Sequence, residues 1–372
     1  MKVAVAGGGI VGLFAAWYLQ REHADVTLFE PGPLGAGSVH AAGIIEPSTA
    51  YRTNTFSFLR RVGRFWRNGT CTFRSADPRW LAESLRQLER PPMLTAERAM
   101  RELSATSVAT YRALAEERND FDYTPRGLVE RFEDPRHFGE ERAEALSRRD
   151  LVPVEVRESG RVGDLFFPEV SWLHTEKFVE RMRRELASIQ VVPQRVERVA
   201  LDGTVQVGGS TRTFDVVVAA TGVGLRRVGV PLTGLRGYGW HTRTRWPVQV
   251  ATILVDRGIA IVPFADEVKI TGGWDFDLST RPQRAQGVRD AIERVVRIDQ
   301  TLDFKEGSRP CTPDGLPTIG RQGRLVVATG GFRLGWSFAP GMGREASRLA
   351  LGTSENDPFF SRYCSSLHAG SP

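Results

Sequence analysis

The first thirty residues constrain the fold of this chain more than any other stretch of its sequence. An apolar run over residues 2–6 is followed by a glycine-rich stretch over residues 7–12 and a helix-like run over residues 13–21. A second apolar run, residues 25–29, ends directly before the acidic residue Glu30. A strand, a glycine turn, a helix and a second strand in this order are typical of the first unit of a doubly wound parallel sheet. We therefore expect an α/β fold that begins with a Rossmann-like unit.

The three glycines of the motif each have a physical role. Gly7 allows a tight turn, Gly9 lets the backbone approach a pyrophosphate, and Gly12 lets the helix pack closely on the strand. The N-terminus of the helix presents N–H groups and the positive end of its dipole to the phosphates. Glu30 lies about 20 residues beyond the motif, where a carboxylate binds the ribose hydroxyls of an adenosine. Together these features indicate a site for a molecule that contains ADP.

Length and composition indicate a globular protein with two domains. The chain has 372 residues, of which 41% are hydrophobic and 25% are charged, as in ordinary globular proteins. No apolar stretch reaches the roughly 18 residues of a membrane-spanning helix, and no signal-peptide pattern precedes the first strand. The expected location is therefore the cytoplasm. The formal net charge of +6 does not predict a nucleic-acid partner, because the positive charge is mostly arginine spread along the whole chain.

One basic stretch, residues 60–67, is denser than the rest and contains four arginines and two aromatic residues. Such a pattern fits contact with a membrane surface or a partner subunit, and it also fits the solvated face of an amphipathic helix. We favour the solvated face, and peripheral membrane or subunit contact stays open.

The cysteines and histidines indicate neither a disulfide framework nor a metal centre. Cys71, Cys311 and Cys364 form no C-x-x-C pair and are odd in number, which is typical of reduced cysteines. The six histidines show no spacing typical of metal ligands, so no metal site is expected.

The remaining periodicities predict a discontinuous nucleotide-binding domain. Helical patterns cover residues 77–117, 135–148, 175–187 and 283–298, and a last helix starts at about residue 343. Strand patterns cover residues 127–132, 191–193, 196–199, 214–222, 248–254, 259–264, 268–272 and 325–330. We expect residues 1–75, 172–225 and 305–372 to form the nucleotide-binding domain. Residues 76–171 and 226–304 would form a second, α+β substrate domain built on an antiparallel sheet.

Two blocks near the C-terminus narrow the ligand. They are RPCTPDGLPTIG, residues 309–320, and ATGGFRLGWSFAPGMG, residues 328–343. Together with residues 7–12, Glu30 and residues 38–44, they resemble the FAD-dependent D-amino-acid oxidase superfamily, in particular its D-amino-acid dehydrogenase, glycine oxidase and sarcosine oxidase branch. The resemblance covers both ends of the chain and the middle nucleotide segment, whereas residues 50–160 match only in general character. These motifs are specific for the superfamily and not for a substrate.

The resemblance implies FAD and assigns residues to it. Along the adenosine and pyrophosphate it places Gly7, Gly9, Ile10, Val11, Gly12, Glu30, Pro31 and Val196, with Thr221 and Gly222 closing over the dinucleotide. Along the flavin it places Ser38, Ala42, Gly43, Ile44, Gly331, Phe332, Arg333, Leu334, Gly335 and Trp336. The last helix would aim its positive end at the flavin. Sarcosine oxidases attach their flavin through a cysteine several residues before Thr-Pro-Asp, whereas Cys311 directly precedes Thr312, so the FAD is expected to be noncovalent.

The resemblance also assigns four residues to the substrate side. Arg309 would bind a substrate carboxylate with two parallel hydrogen bonds, and Arg333 would be a second substrate-side arginine. Tyr238 either lies over the substrate or packs in the core. Lys269 either lies beneath the flavin and promotes reaction with oxygen, or is a solvent-exposed lysine at a strand end. Relatives transfer hydride without an obligatory protein base, so no role is assigned to His40 or His174.

The expected function is FAD-dependent oxidation of a small amino acid to its imine, which water then hydrolyses. We favour a dehydrogenase of D-amino acids such as D-proline that passes electrons to a quinone or dye-like acceptor. The alternatives are a glycine or sarcosine oxidase that uses O2, and a flavin-bearing subunit of a larger amino-acid dehydrogenase complex.

Overall fold

The computed structural model describes residues 1–46, 56–74, 77–88, 94–150, 152–157, 162–244, 249–276 and 282–372. The helices in these ranges are α1 (Ile10–Arg21), α2 (Phe56–Arg67), α3 (Pro78–Gln87), α4 (Leu94–Glu117), α5 (Pro135–Ser147), α6 (Thr175–Glu185), α7 (Pro282–Glu293) and α8 (Gly335–Leu351). Short 3-10 helices span Gly222–Val228 and Phe332–Leu334. The first ten strands are β1 (Lys2–Ala6), β2 (Asp25–Phe29), β3 (Ile44–Ile45), β4 (Cys71–Phe73), β5 (Leu128–Phe132), β6 (Glu155–Arg157), β7 (Gly163–Phe167), β8 (Ser171–Trp172), β9 (Gln190–Val192) and β10 (Val196–Val199). The other ten are β11 (Thr204–Val207), β12 (Ser210–Thr213), β13 (Val216–Ala219), β14 (Thr233–Arg243), β15 (Ala251–Leu254), β16 (Ile259–Pro263), β17 (Val268–Phe276), β18 (Gln300–Cys311), β19 (Thr318–Gln322) and β20 (Leu325–Thr329).

The first sheet has the strand order β19-β20-β13-β1-β2-β9 and is parallel except for the hairpin of β19 and β20. Its central strand β1 is apolar on both sides: Val3 and Val5 belong to one buried cluster, and Ala4 and Ala6 belong to another. Burial on both faces explains the uninterrupted apolar run in the sequence. The chain continues from β1 to β2 on one side, while β13 pairs on the other side. This reversal leaves a crevice at the carboxyl ends of β1 and β13.

The second sheet has the strand order β18-β14-β17-β16-β15-β5-β7-β6, and β4 pairs with β17. Its pairs are antiparallel except for β5 with β15 and β4 with β17. The predicted α/β fold with a second, antiparallel sheet is therefore confirmed. Strands β10, β11 and β12 form a separate three-stranded sheet, and β3 pairs with β8.

Helices α1, α4 and α8 cover one face of the first sheet and approach each other closely. A methyl group at Gly343 of α8 would lie 2.5 Å from Cβ of Phe14 in α1. A methyl group at Gly341 would lie 2.4 Å from the carbonyl oxygen of Leu103 in α4. These two glycines therefore let the three helix backbones come together, which costs helix propensity but permits dense packing.

The start of the last helix differs from its prediction. Helix α8 begins at Gly335, eight positions before residue 343. Pro340 lies inside it and cannot donate to the carbonyl oxygen of Trp336, four residues earlier. The hydroxyl of Tyr111 in α4 donates to that oxygen instead, at 2.9 Å. Because a distant helix supplies the missing hydrogen bond, the local pattern could not reveal it.

Other predicted elements differ in extent. The helical pattern over residues 77–117 forms two helices, α3 and α4, and residues 89–93 between them lie outside the described residues. The helix predicted over residues 283–298 ends at Glu293. The strand predicted over residues 248–254 is described from Ala251, and residue 248 lies outside the described ranges. Strand β18, which carries Arg309, was not predicted.

The strands of the first sheet come from residues 2–29, 190–192, 216–219 and 318–329. The division of the chain into a nucleotide-binding domain and a substrate domain with the boundaries given above stays a prediction. In the part of the chain that is described, no helix is both long enough and apolar enough to cross a membrane.

Candidate active site

A cavity of about 580 Å³ opens at the carboxyl ends of β1 and β13. Its lining comes from the glycine turn after β1, from the segment after β13, from β18 and from the start of α8. This volume is in the range of ligand and cofactor sites, and the crevice where strand order reverses is where open α/β sheets bind ligands.

The glycine turn packs as the motif requires. Gly7 has a φ of +103°, and a methyl group there would lie 2.7 Å from the carbonyl oxygen of Ala220. A methyl group at Gly12 would lie 1.9 Å from the carbonyl oxygen of Gly7, so α1 can sit against the turn only with glycine at this position. Gly9 precedes α1, lines the cavity and, as a glycine, has no side chain that could cap the helix. The turn therefore leaves the N-terminus of α1 facing the cavity.

The Glu30 carboxylate is held by the backbone on both sides. It accepts hydrogen bonds from the N–H of Gly8 at 2.8 Å and from the N–H of Gly32 at 3.0 Å. On the opposite side of the turn, the hydroxyl oxygen of Ser38 accepts from the N–H of Ile10 at 3.1 Å. Glu30 and Ser38 both line the cavity, so the turn presents a carboxylate that can accept from ribose hydroxyls.

Three other lining residues carry buried polar atoms that have no hydrogen-bond partner among the described residues. They are the hydroxyl of Thr221, the hydroxyl of Ser308 and both ring nitrogens of His40. A buried polar group without a partner costs about 1–3 kcal/mol, so these atoms indicate that a polar ligand completes the site. A dinucleotide offers hydroxyls, phosphates and ring heteroatoms along its length, and the residues present therefore fit FAD.

Most of the residues assigned to the cofactor line this cavity. Those that do are Gly7, Gly9, Ile10, Val11, Glu30, Pro31, Ser38, Val196, Thr221, Gly222, Gly331, Phe332, Arg333, Gly335 and Trp336. Phe332 has a φ of +45°, an uncommon conformation for a residue other than glycine. It lies in the tight turn that brings the N-terminus of α8 to the cavity, at Gly335.

Five assigned residues lie behind the lining instead. Gly12 packs α1 on the turn, and Leu334 belongs to the core under α1 and α8. Ala42 and Ile44 pack against the second sheet with Leu128. At Gly43, φ is +77° and a methyl group would lie 2.2 Å from the carbonyl oxygen of Leu173. Their roles toward the cofactor stay predictions.

Arg309 lines the cavity from β18. Its Nη1 donates to the carbonyl oxygen of Gly273 at 2.9 Å, and its guanidinium carbon lies 5.5 Å from the ring centre of Trp274. Burial lowers the pKa of Arg309 to about 10, and Asp275 opposes this effect, so the guanidinium keeps its charge at neutral pH. It forms no ion pair within the described residues, and a carboxylate in the cavity would supply its missing counter-charge.

Tyr238 is buried and is not among the residues that line the cavity. Its hydroxyl donates to Oδ2 of Asp275 at 3.0 Å. Asp275 also accepts from Nε of Arg284, at 3.0 and 2.9 Å, and from the hydroxyl of Thr72 at 2.9 Å. Burial and the nearby Asp275 raise the pKa of Tyr238. The structure places Tyr238 in a polar network beside Arg309 and Trp274 rather than on the cavity surface.

Arg333 lines the cavity at the start of α8, and its Nη1 lies 4.0 Å from Oε1 of Glu46. Glu46 is buried, and its second carboxylate oxygen has no hydrogen-bond partner among the described residues. Arg333 approaches the cavity from the 3-10 helix before α8, and Arg309 approaches it from β18.

Lys269 is fully buried, so its interpretation as a solvent-exposed lysine is wrong. Its Nζ donates to the carbonyl oxygen of Val39 and the hydroxyl of Thr175, each at 2.6 Å, and lies 3.1 Å from both carboxylate oxygens of Glu176. Burial lowers the pKa of Lys269, and Glu176 opposes this effect. Lys269 does not line the cavity. It contacts Val39, whose neighbours Ser38 and His40 do line it. Its role toward oxygen stays a prediction.

The fold also brings His174, Glu176 and His241 together, with one ligand atom of each within 4.8 Å of the others. Sequence spacing did not reveal this group, because the residues come from α6, the segment before it and β14. The carboxylate of Glu176 accepts from Nε2 of His241 at 2.9 Å and is bound by the ammonium of Lys269. The cluster is therefore already charge-balanced by a lysine, and we do not assign a metal to it.

Sequence reasoning missed His40 and Ser308, which line the cavity. A signal was present in Gly237, Gly239 and Gly307, because glycines inside strands often mark places where another part of the chain approaches closely.

Comparisons with known proteins identify the family and the fold of this chain. Residues 2–349 match the family model "DAO: FAD dependent oxidoreductase". The chain is 36% identical over 359 residues to a D-proline dehydrogenase of Pyrobaculum islandicum, covering 95% of this chain and 96% of the relative. Two solved structures share its fold. Glycine oxidase from Geobacillus kaustophilus has a TM-score of 0.71 and 20% identity, with 96% of each chain covered. L-proline dehydrogenase from P. horikoshii has a TM-score of 0.68 and 15% identity, with 97% of this chain and 96% of the other covered.

Proposed function

Since this chain belongs to the DAO family of FAD-dependent oxidoreductases, we propose that it oxidises a small D-amino acid such as D-proline to the imine. Electrons then pass to a quinone or dye-like acceptor. The similarity over nearly the whole length to a D-proline dehydrogenase supports this substrate class. FAD, when bound, supplies the hydride acceptor, and the chain supplies binding, orientation and exclusion of water.

The observation that carries the proposal is the position of Arg309. A guanidinium that lines a cofactor-sized cavity, and that has a backbone carbonyl but no carboxylate as partner among the described residues, can take a substrate carboxylate. The aromatic face of Trp274 and the carbonyl oxygen of Gly273 hold the guanidinium in place. A carboxylate bound there would have its α-carbon fixed relative to the cavity, which is what oxidation at that carbon requires.

The choice between dehydrogenase and oxidase rests on Lys269. The resemblance assigns this lysine to the reaction with oxygen in sarcosine oxidases. In this chain the ammonium is paired with Glu176 and saturated by Val39 and Thr175. An ammonium whose charge is balanced by a carboxylate and whose hydrogens are all donated favours an electron acceptor other than O2. A glycine or sarcosine oxidase is the second candidate.

A panel of D- and L-amino acids separates these candidates. The FAD-loaded protein is incubated with each amino acid in the presence of an artificial dye, and separately with O2 alone. We expect dye reduction with D-proline or another small D-amino acid, and little peroxide without dye. Rapid peroxide formation without dye would show an oxidase, and no reaction with any amino acid would contradict the proposed function.

A flavin-bearing subunit that docks through residues 60–67 is a further alternative. Three of the four arginines in this stretch pair within the chain, because Arg60 lies 3.4 Å from Glu140, Arg61 pairs with Glu141, and Arg64 lies 3.5 Å from Asp256. The same helix exposes Phe56, Leu59 and Trp66. We propose that the protein is active by itself and that any membrane contact uses this apolar side. Gel filtration of the active protein, and cosedimentation with lipid vesicles, would test each part.

A further inference from the structure

Three glycines on two paired strands open a depression in the second sheet beside the cavity. A methyl group at Gly307 of β18 would lie 2.1 Å from Nδ1 of His40, and one at Gly239 of β14 would lie 2.4 Å from the His40 carbonyl oxygen. A methyl group at Gly237 of β14 would lie 2.2 Å from Nη2 of Arg309. Glycines weaken strands, and they are found there where another group must approach the backbone closely. The depression therefore accommodates two side chains, those of His40 and Arg309.

These two side chains are neighbours. Gly237 and Gly307 lie directly opposite each other in the antiparallel register of β14 and β18. Opposite residues point to the same face of a sheet, with Cα atoms about 4.5–5.5 Å apart. The imidazole over Gly307 and the guanidinium over Gly237 therefore lie side by side on one face. Both residues line the cavity.

The imidazole of His40 has unused hydrogen-bonding capacity. The residue is 3% exposed, and neither of its ring nitrogens has a hydrogen-bond partner within the described ranges. By contrast, both ring nitrogens of the buried His241 are hydrogen-bonded, as is Nδ1 of His137. A buried ring without partners that lines a cavity indicates that the ligand supplies them.

The surroundings keep this imidazole neutral. Burial lowers the pKa of His40 well below its usual value, and Arg309, Lys269 and Arg236 act in the same direction, while Glu176 opposes them. A neutral imidazole has one N–H donor and one nitrogen lone pair. The lone pair can accept a hydrogen bond from an uncharged amine, and the surrounding cations disfavour an ammonium ion at the same place.

We propose that His40 binds the substrate amine by accepting its N–H, while Arg309 binds the carboxylate of the same molecule. This inference rests on the proposed function, because it needs an amino-acid substrate. The amine and carboxylate of an α-amino acid are attached to one carbon, so two adjacent protein groups can hold both and orient the bond from that carbon to hydrogen. Primary and secondary amines, which keep an N–H when uncharged, are the substrates. N,N-dialkylated amino acids are not.

The test compares two ligands that differ only at the amine. The FAD-loaded protein is mixed with D-proline, or with the (R) form of tetrahydrofuran-2-carboxylate, which has an ether oxygen in place of the N–H. The dependence of the rate of flavin reduction on D-proline concentration gives the Kd of D-proline, and the change in flavin absorbance gives the Kd of the unreactive ether. We expect His40→Ala to weaken D-proline binding about tenfold to hundredfold, because the amine N–H loses its acceptor. Binding of the ether analogue should change less than about threefold. Arg309→Met should weaken the binding of both ligands, because both carry the carboxylate.

A second variant keeps the test decisive if His40→Ala loses FAD or stability. His40→Gln retains an acceptor and a donor, so it should keep the preference of the wild type for D-proline over the ether. The inference would be overturned, and a packing role indicated, if His40→Ala weakened the binding of both ligands equally. The same result in His40→Gln would overturn it if only that variant folds. Unchanged D-proline binding in His40→Ala would also overturn it. If the wild type neither binds nor oxidises any amino acid of the panel, the proposed function fails and the inference with it.

Discussion

The ammonium of Lys269 lies 3.1 Å from both carboxylate oxygens of Glu176, although 93 positions separate the two residues in sequence. The same ammonium donates to the carbonyl oxygen of Val39 and to the hydroxyl of Thr175. This ion pair therefore ties β17 and α6 to the segment that carries Ser38 and His40 along the cavity.

Replacing Lys269 with methionine should destabilise the protein. The change leaves the carboxylate of Glu176 and the carbonyl oxygen of Val39 without their buried donor, and breaking one side of a buried ion pair costs about 3–5 kcal/mol. Urea unfolding of the FAD-loaded protein would measure the loss. Lys177→Met is the control, because Lys177 pairs with Asp122 at an exposed position and should cost less than about 1 kcal/mol. Similar small losses in both variants would contradict the prediction.

Replacing Arg309 with methionine should weaken amino-acid binding by about 2–5 kcal/mol, the usual effect of removing one partner of a buried charge pair. FAD should stay bound, because the residues predicted to bind the cofactor line the rest of the cavity. Steady-state kinetics and flavin absorbance would measure the two effects. Arg86→Met, at an exposed arginine that pairs with Glu83, is the matched control. Unchanged kinetics with amino acids would show that Arg309 does not bind the carboxylate.

Removing the Tyr238 hydroxyl should affect stability more than substrate binding. Tyr238→Phe deletes a donor to Asp275, and hydrogen bonds to charged groups contribute about 1.5–3 kcal/mol. Asp275 keeps Arg284 and Thr72 as donors, so we expect a loss toward the lower end of that range, measured by urea unfolding. KM should change less than in Arg309→Met. A large rise in KM with unchanged stability would instead place Tyr238 against the substrate.

Acid should weaken the fold through Glu267. Hydrogen bonds from His174 and His241 lower its pKa from 4.5 to about 2. A carboxylate with a lowered pKa stabilises the folded state above its unfolded pKa, and this contribution disappears as the pH falls from about 4.5 through about 2. The stability difference between the wild type and Glu267→Gln should therefore shrink over that interval in thermal unfolding. Glu155→Gln, at an exposed glutamate, is the control and should change the stability little. A constant difference for Glu267→Gln would contradict the assignment.

Adding a methyl group at Gly12 should impair FAD binding. The new carbon would lie 1.9 Å from the carbonyl oxygen of Gly7, so α1 would have to move away from the turn that faces the cavity. We expect FAD affinity to fall more than tenfold, measured by reconstituting the apoprotein with FAD. Gly139→Ala is the control, because a methyl group there meets nothing within 4 Å. That change should leave FAD binding intact and stabilise α5 by up to about 1 kcal/mol.

Elements with strong local signals were predictable. Strands β1, β2, β13 and β20 are short apolar runs that end at glycine or acidic residues, and parallel strands buried on both faces must have this pattern. Helix α8 begins eight residues before its predicted start, and Pro340, which disfavours a helix, lies inside it. The hydroxyl of Tyr111, from another helix, donates to the carbonyl oxygen of Trp336, which the proline leaves without its usual donor.

The sequence by itself indicated a dinucleotide site at a glycine turn and the family of FAD-dependent oxidoreductases, which the comparisons confirm. Its assignment of Arg309 and Arg333 to the substrate side stays a prediction. The tertiary structure decided which polar groups meet. It joined Lys269 to Val39 across 230 positions, Tyr238 to Asp275, and His40 to the depression beside Arg309. Motifs are detectable because they are local and contiguous. These contacts arise only when strand register and helix packing bring distant segments together, and no local pattern of residues encodes that register.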